Sequence, residues 1–207
     1  LVIDNAATQA PCPPPPSASP LMCFQIRRHR RPWIREEEGL AEIIAACAQK
    51  WPNAGFIIDG HSTSPGIIAV KDSEIAAERE FFTRLQARLG VVRLHSTIGM
   101  DVNAKINILK HADLFCGPIG SGGVLSSWLL RKPTVAYGPT STYGLVAEQE
   151  DKVPEGGGMA VCVPQACIAD IDNAASAYDF DAQEVIKLIA AIVEGSSLGA
   201  AKASSPS

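Results

Sequence analysis

The chain has 207 residues, of which 46% are hydrophobic and 19% charged, and its formal net charge is −4. This length accommodates one domain with a real core and leaves little room for a second. The composition excludes a disordered polyampholyte, and the charge excludes a globally basic surface for nucleic acid. No apolar run approaches the roughly 20 residues that span a bilayer, so no transmembrane segment is expected.

The two ends are predicted to lie outside the folded domain. Consecutive prolines in Pro11–Pro20 favour an extended polyproline II segment, so residues 1–20 are predicted to be a linker or arm. Residues 196–207, rich in Ser and Ala, are predicted to be a flexible tail. The domain is therefore expected to span residues 21–195. The chain begins with Leu1 rather than Met, which indicates a processed or trimmed segment.

The six cysteines lack the spacing of a metal site. None forms a CxxC pair, four residues separate the closest couple, Cys162 and Cys167, and the histidines are scattered singly. Cys47 and Cys116 lie in apolar runs and are interpreted as small core residues. We therefore expect no metal, no cofactor and a reducing compartment, with the cytoplasm favoured over a lumen.

Short apolar runs alternate along the chain with helical patterns. The runs are predicted to be strands, in chain order Leu21–Ile26, Gly55–Asp59, Val91–Leu94, Leu114–Cys116, Thr134–Tyr137 and Ala160–Val163. Apolar residues three and four positions apart indicate the intervening helices, the first through Leu40, Ile43, Ile44 and Cys47. Asp72 and Asp101 are predicted to cap the second and third helices.

The later helices are predicted around Val124–Leu129 and over Gln183–Glu194. Strands separated by helices need crossover connections, which produce a parallel sheet with helices on both faces. The predicted fold class is therefore α/β, with a Rossmann-like parallel sheet.

Two unusual loops follow predicted strands, and ligands of such sheets bind beyond the carboxyl ends of the strands. Arg27–Trp33 carries four arginines in five residues, and the guanidinium group matches phosphate with two parallel hydrogen bonds. Gly117–Gly123 is glycine-rich and precedes a helix, where backbone N–H groups can approach an anion. Read alone, the first is equally consistent with a solvated basic loop, and the second with a tight strand-to-helix turn. Together they suit a pyrophosphate on one sheet edge.

Four segments, read as an ordered set, resemble the donor-binding half of GT-B glycosyltransferases, particularly heptosyltransferase-like members. They are Ala112–Gly117, Gly120–Gly122, Lys132–Ala136 and Gly138–Thr140. The Gly-Pro-x-Gly-Ser-Gly stretch also resembles the "GPHGSG" turn of another GT-B group. In this chain, however, Gly120 stands where the first type has Asp, and Ile119 where the second has His.

The resemblance implies a nucleotide-diphosphate sugar as substrate, a glycan, lipid or protein acceptor, and an acceptor-binding domain N-terminal to this one. It implies that donor phosphates bind the residues Arg28, Arg30, Arg31, Gly120, Ser121, Gly122 and Gly123. It places Thr97, Ile98 and Gly99 beside the base or sugar, and it identifies no catalytic base here.

Two further residues are candidates for the base or sugar from their positions after predicted strands. His61 follows the second strand, and Tyr137 ends the fifth, where an aromatic ring can stack on a base. Two other functions are open besides a transferase: a non-catalytic ligand-binding or assembly module, and another Rossmann-like enzyme such as a sugar-nucleotide epimerase or an oxidoreductase. The first-loop GxGxxG of dinucleotide enzymes is absent.

Overall fold

A computed structural model describes residues 18–28, 31–63, 72–90, 92–145, 158–172 and 176–195. Most of the predicted arm, the predicted tail and the candidate Arg30 lie outside these residues, so the structure says nothing of them. Within the described ranges, no helix is long and apolar enough to cross a membrane.

Six parallel strands form the main sheet, in the order β3-β2-β1-β4-β5-β6. They are β1 (Leu21–Gln25), β2 (Gly55–Asp59), β3 (Leu94–Ser96), β4 (Leu114–Pro118), β5 (Thr134–Tyr137) and β6 (Ala160–Cys162). This is the strand order of the Rossmann fold, with β1 and β4 side by side at the point where the order reverses. The predicted α/β fold class is confirmed.

Helices cover both faces of this sheet. They are α1 (Glu36–Lys50), α2 (Asp72–Leu89), α3 (Val102–Leu109), the single turn α4 (Ser121–Gly123), which continues as a π-helix over Val124–Leu129, and α5 (Ala182–Gly195). The carboxylate of Asp101 accepts hydrogen bonds from the N–H groups of Asn103 and Ala104 at 2.9 and 3.0 Å, so the predicted cap of α3 is confirmed.

The alternation of side chains along β1 divides the core into two clusters. Met22 and Phe24 pack with α1, α2 and α5 on one face. Leu21 and Cys23 pack with the end of α3 on the other, where Leu125 of the π-helix also contacts the cluster. Each side chain near the end of β1 therefore has its face set by its position in the sequence.

The helix predicted around Val124–Leu129 is present, but it is a π-helix, and only part of its apolar face packs on the core. Leu129 is 61% exposed, whereas Ser126 and Ser127 are buried. A π-helix has more residues per turn than an α-helix, so an α-helical stripe drifts off its face. The buried serines are satisfied locally, because Ser127 donates to the Gly123 carbonyl at 2.6 Å and Ser126 accepts from the Thr134 hydroxyl at 2.9 Å.

A two-stranded antiparallel hairpin, β7 (Ala169–Asp172) with β8 (Ala177–Asp179), was not predicted. It holds the basic loop after β1 in place. The Ile34 N–H donates to the Tyr178 carbonyl at 2.9 Å, and the Trp33 indole N–H donates to the Asp179 carboxylate at 2.8 Å. Both strands are short, the described side chains of β7 are exposed, and the buried residues Ala177 and Tyr178 of β8 are adjacent, so no apolar alternation reports the pair.

Candidate functional site

A cleft of about 150 Å³ opens at the carboxyl ends of β1, β2 and β4, where the strand order reverses. The chain leaves β1 for α1 on one face and β4 for α4 on the other, which separates the loops and leaves a crevice between them. The cleft is lined by Gln25, Ile26, Arg27, Asp59, Gly60, His61, Pro118 and Gly122.

Arg27 and Arg28 point to opposite faces of the sheet. The alternation of β1 continues past its end, so Arg27 follows Gln25 into the cleft, and Arg28 follows Ile26 toward the helices of the other face. The Arg28 guanidinium lies 4.6 Å above the Phe81 ring, with Nε 3.9 Å from a Glu36 carboxylate oxygen. Arg28, which the resemblance placed among the donor-phosphate residues, therefore lies on the other face of the sheet, and Arg27 lines the cleft.

Arg27 brings the two predicted loops together. A Cβ atom added to Gly120 would lie 2.6 and 2.8 Å from the two terminal guanidinium nitrogens of Arg27. Gly120 also has φ of +155°, a backbone conformation that side chains rarely adopt. The backbone angle favours glycine at this turn, and the close approach shows that the Arg27 guanidinium lies against it. The basic loop and the glycine-rich turn meet on one rim, where α4 begins.

The floor of the cleft is a buried polar cluster centred on Asp59. One Asp59 oxygen lies 2.8 Å from the Lys105 ammonium and accepts a hydrogen bond from the Thr97 hydroxyl at 2.7 Å. The other accepts a longer one, 3.4 Å, from the Gln25 amide. Lys105, which is 4% exposed, also donates to the Gly60 carbonyl. The Asp59 charge is compensated within the protein, so the floor presents no unpaired anion.

His61 is held at the cleft by Glu78 of α2. The buried Glu78 carboxylate accepts the His61 backbone N–H at 2.7 Å, and its other oxygen lies 2.5 Å from the ring nitrogen Nδ1. The predicted candidate His61 does line the cleft, and its ring orientation is fixed from behind.

The remaining predicted residues divide between the cleft and the core. Gly122 lines the cleft, and the backbone of Ser121 and Gly123 forms α4 beside it. Arg31 has a left-handed backbone with φ of +54° and precedes Pro32, whose carbonyl accepts from the hairpin.

The other four candidates for the base or sugar do not line the cleft. Thr97 and Ile98 are buried beneath or behind the cleft, and Gly99 is close to the Arg79 guanidinium. Tyr137 is fully buried against the rings of Trp33 and Phe180, and burial raises the pKa of its phenol well above the usual value. The prediction that Tyr137 stacks on a ligand is therefore corrected to a core role.

Sequence reasoning did not identify Glu78 or Lys105 as site residues. A signal for both was present. Glu78 falls between Ile75 and Phe82 on the apolar stripe of α2, and Lys105 lies in α3 one turn before the buried Leu109. An ionisable residue at a stripe position is buried by the same packing as its apolar neighbours and must find a partner there.

No protein-family model matches the sequence, and no curated protein matches it either. Solved structures match the fold. Staphylococcus aureus MnaA, in a co-structure with UDP, is 14% identical over 86% of this chain and 38% of that chain, with a TM-score of 0.54. A UDP-GlcNAc 2-epimerase from Neisseria meningitidis bound to UDP-GlcNAc is 13% identical over 86% of this chain and 36% of that chain, with a TM-score of 0.50.

The C-terminal domain of a group 1 glycosyltransferase (LpcC) from Francisella tularensis is 11% identical over 87% of this chain and 78% of that chain, with a TM-score of 0.49. The likeness to the MnaA and Neisseria meningitidis structures shows a shared Rossmann-like fold. The chain spans less than two fifths of the length of the first two proteins.

Proposed function

We propose that this chain is the donor-binding half of a glycosyltransferase that uses a nucleotide-diphosphate sugar, and that the cleft binds the diphosphate. The observation that carries the proposal is the contact between the Arg27 guanidinium and the Gly120 turn, on the rim where α4 begins. A planar guanidinium and the backbone N–H groups of a helix start are two donors that suit the oxygens of a bridging diphosphate.

The rim of the cleft carries a group that suits an anion. Arg27 contributes a positive charge at the rim, and the Asp59 carboxylate of the floor is paired with Lys105. In a transferase, negative charge develops on the departing diphosphate, and fixed donors aimed at it lower the barrier. Arg27 is proposed to bind the departing diphosphate together with the backbone of the glycine turn, namely Gly120, Ser121, Gly122 and Gly123.

The acceptor, a glycan, lipid or protein, is proposed to bind to a part of the enzyme beyond this chain. Structures with the same fold extend well past the region that this chain matches. The residues of the cleft described here include no proposed catalytic base.

A non-catalytic ligand-binding module is the alternative, and Ile119 favours it. At the position where the resembling "GPHGSG" turn has His, Ile119 is buried and packs with Ala136, so it presents no polar group to a donor sugar. Binding without turnover of any nucleotide-sugar by the chain together with its natural flanking domains would favour this alternative.

Isothermal titration with UDP tests the binding proposal. UDP is the probe because proteins of the same fold carry UDP or UDP-GlcNAc in their structures. Arg27→Ala is expected to weaken UDP binding about tenfold or more, since it removes charge-assisted hydrogen bonds. Arg28→Ala is the matched control, because its side chain lies over Phe81 on the other face. Equal affinities of the wild type and Arg27→Ala would refute the assignment.

A further inference from the structure

Glu78 is a buried carboxyl group whose two oxygens both contact one histidine of the cleft. It is fully buried on the sheet-facing stripe of α2, and its two oxygens engage the backbone N–H and Nδ1 of His61. Burying a carboxylate is costly unless its hydrogen bonds are made. A carboxylate retained here for stability alone would be an expensive substitute for an apolar residue.

The chain at Gly60 is shaped to admit this carboxylate. A Cβ atom added to Gly60 would lie 2.2 Å from one Glu78 oxygen and 2.9 Å from its carboxyl carbon. Any side chain at position 60 would displace Glu78 from His61. The absence of a side chain at Gly60 and the position of Glu78 on α2 thus both favour the contact between Glu78 and His61.

The two contacts together decide which nitrogen of the His61 ring carries the proton. The backbone N–H can only donate, and an ionised carboxylate can only accept, so the second Glu78 oxygen accepts a proton from Nδ1. A ligand in the cleft can then exchange a proton only with Nε2. In neutral His61, Nε2 is an acceptor and meets phosphate oxygens lone pair to lone pair. In doubly protonated His61 it is a donor to them.

The charged groups around His61 come from four elements. They are Glu78 of α2, Asp59 at the end of β2, Lys105 of α3, paired with Asp59, and Arg27 after β1. Lys105 donates to the carbonyl of Gly60, next to His61, and Arg27 shares the cleft with it. Among the described residues, Glu78 contacts both Nδ1 and the backbone N–H of His61, so we assign the tautomer to it.

We propose that Glu78 is a positioning residue that fixes the His61 proton on Nδ1, so that the imidazole binds the donor diphosphate only when it is doubly protonated. The inference rests on the proposed function, because the diphosphate is the ligand of that cleft. It makes diphosphate binding take up a proton, and it assigns the pH dependence to a residue that touches no ligand.

The test is UDP affinity measured by titration calorimetry from pH 5.5 to 8.5 for the wild type and two variants. His61→Asn keeps a side-chain N–H for Glu78 and lacks any equivalent of Nε2, so its profile reports the ionisation of UDP itself. We expect the wild type to lose about tenfold more affinity over this range than His61→Asn. Coinciding profiles would overturn the inference.

Glu78→Gln tests the tautomer directly. Its amide oxygen must accept the His61 backbone N–H, so its NH2 group faces Nδ1 and forces the proton onto Nε2. Neutral His61 then donates to phosphate, and we expect the steep pH dependence to disappear while affinity at pH 8.5 exceeds that of His61→Asn. A Glu78→Gln profile identical to the wild type would overturn the inference.

Nitrogen-15 NMR of the His61 ring tests the tautomer separately from UDP binding, and it needs only the wild-type chain. Neutral His61 is expected to carry its proton on Nδ1, and a proton on Nε2 would overturn the tautomer assignment even if Glu78→Gln did not fold. If UDP binds, and Arg27→Ala weakens it, but the pH profiles coincide, the inference alone fails. If UDP binds at no pH, the proposed function fails and the inference fails with it.

Discussion

Replacing Glu36 by Gln is expected to remove a pH dependence from the stability of the fold. Glu36 begins α1 and is 6% exposed, and one carboxylate oxygen accepts the Arg27 backbone N–H at 3.3 Å. Burial raises the pKa of Glu36 from 4.5 to about 7, although this hydrogen bond and the Arg28 charge lower it. The folded chain therefore holds a proton that the unfolded chain has released.

The direction follows from proton linkage. Between pH 4.5 and about 7 the folded state binds more protons than the unfolded state, so the free energy of unfolding falls as the pH rises. Each unit by which folding raises the pKa of Glu36 corresponds to about 1.4 kcal/mol. The loss in the free energy of unfolding is therefore about 3 kcal/mol once the pH is above 7. Glu36→Gln stays neutral at every pH and keeps an oxygen for the Arg27 N–H.

Urea unfolding at pH 5 and pH 8 measures the effect. The variant is expected to gain about 2–3 kcal/mol over the wild type at pH 8, and far less at pH 5. Glu38→Gln is the matched control, because Glu38 lies in the same helical turn with an exposed side chain. A difference between Glu36→Gln and the wild type that is equal at both pH values would refute the reasoning.

Three further substitutions test the fold around the site. Asp101→Ala removes the α3 cap and is expected to cost about 1 kcal/mol in urea unfolding; no loss would contradict the cap. Lys105→Met leaves the Asp59 carboxylate buried and unpaired, and is expected to lower the free energy of unfolding by about 3–5 kcal/mol. Adding Asp59→Asn should recover part of this loss. Additive losses in the double variant would contradict the pairing. In Gly39→Ala the new Cβ would lie 2.0 Å from the Trp33 ring, so the indole must move. We expect a changed near-UV circular dichroism spectrum and a lower thermal midpoint. An unchanged spectrum would contradict this packing.

Much of the sheet was predictable because strands and crossover helices carry local periodicities. The bounds of β2 and β5 agree with the prediction, and the stripe of α1 is buried as expected. The prediction of the third strand is shifted, since β3 spans Leu94–Ser96 rather than Val91–Leu94. A run of apolar residues indicates that a strand is present. Which residues of β3 form the strand is decided by their pairing with the neighbouring strand β2.

The candidate site was predictable at the level of loops and not at the level of side chains. Both loops were found from composition, and they do meet at one rim. Which arginine enters the cleft depends on its position relative to β1, so Arg27, which was not among the predicted phosphate-binding residues, lies at the cleft and Arg28 lies on the other face. Tyr137 was placed at a strand end correctly, yet the hairpin and α5 cover its face of the sheet with Tyr178 and Phe180.

The sequence by itself determined the alternation of strands and helices, and with it the parallel sheet and the edge at which the cleft opens, because these follow from contacts between near neighbours in the chain. Only the tertiary structure decided which charges were buried and how they were paired. Glu78 meets His61 across 17 positions, and Lys105 meets Asp59 across more than forty. Such pairs are stable only after the elements have packed, since the low dielectric that makes them strong is itself a product of folding.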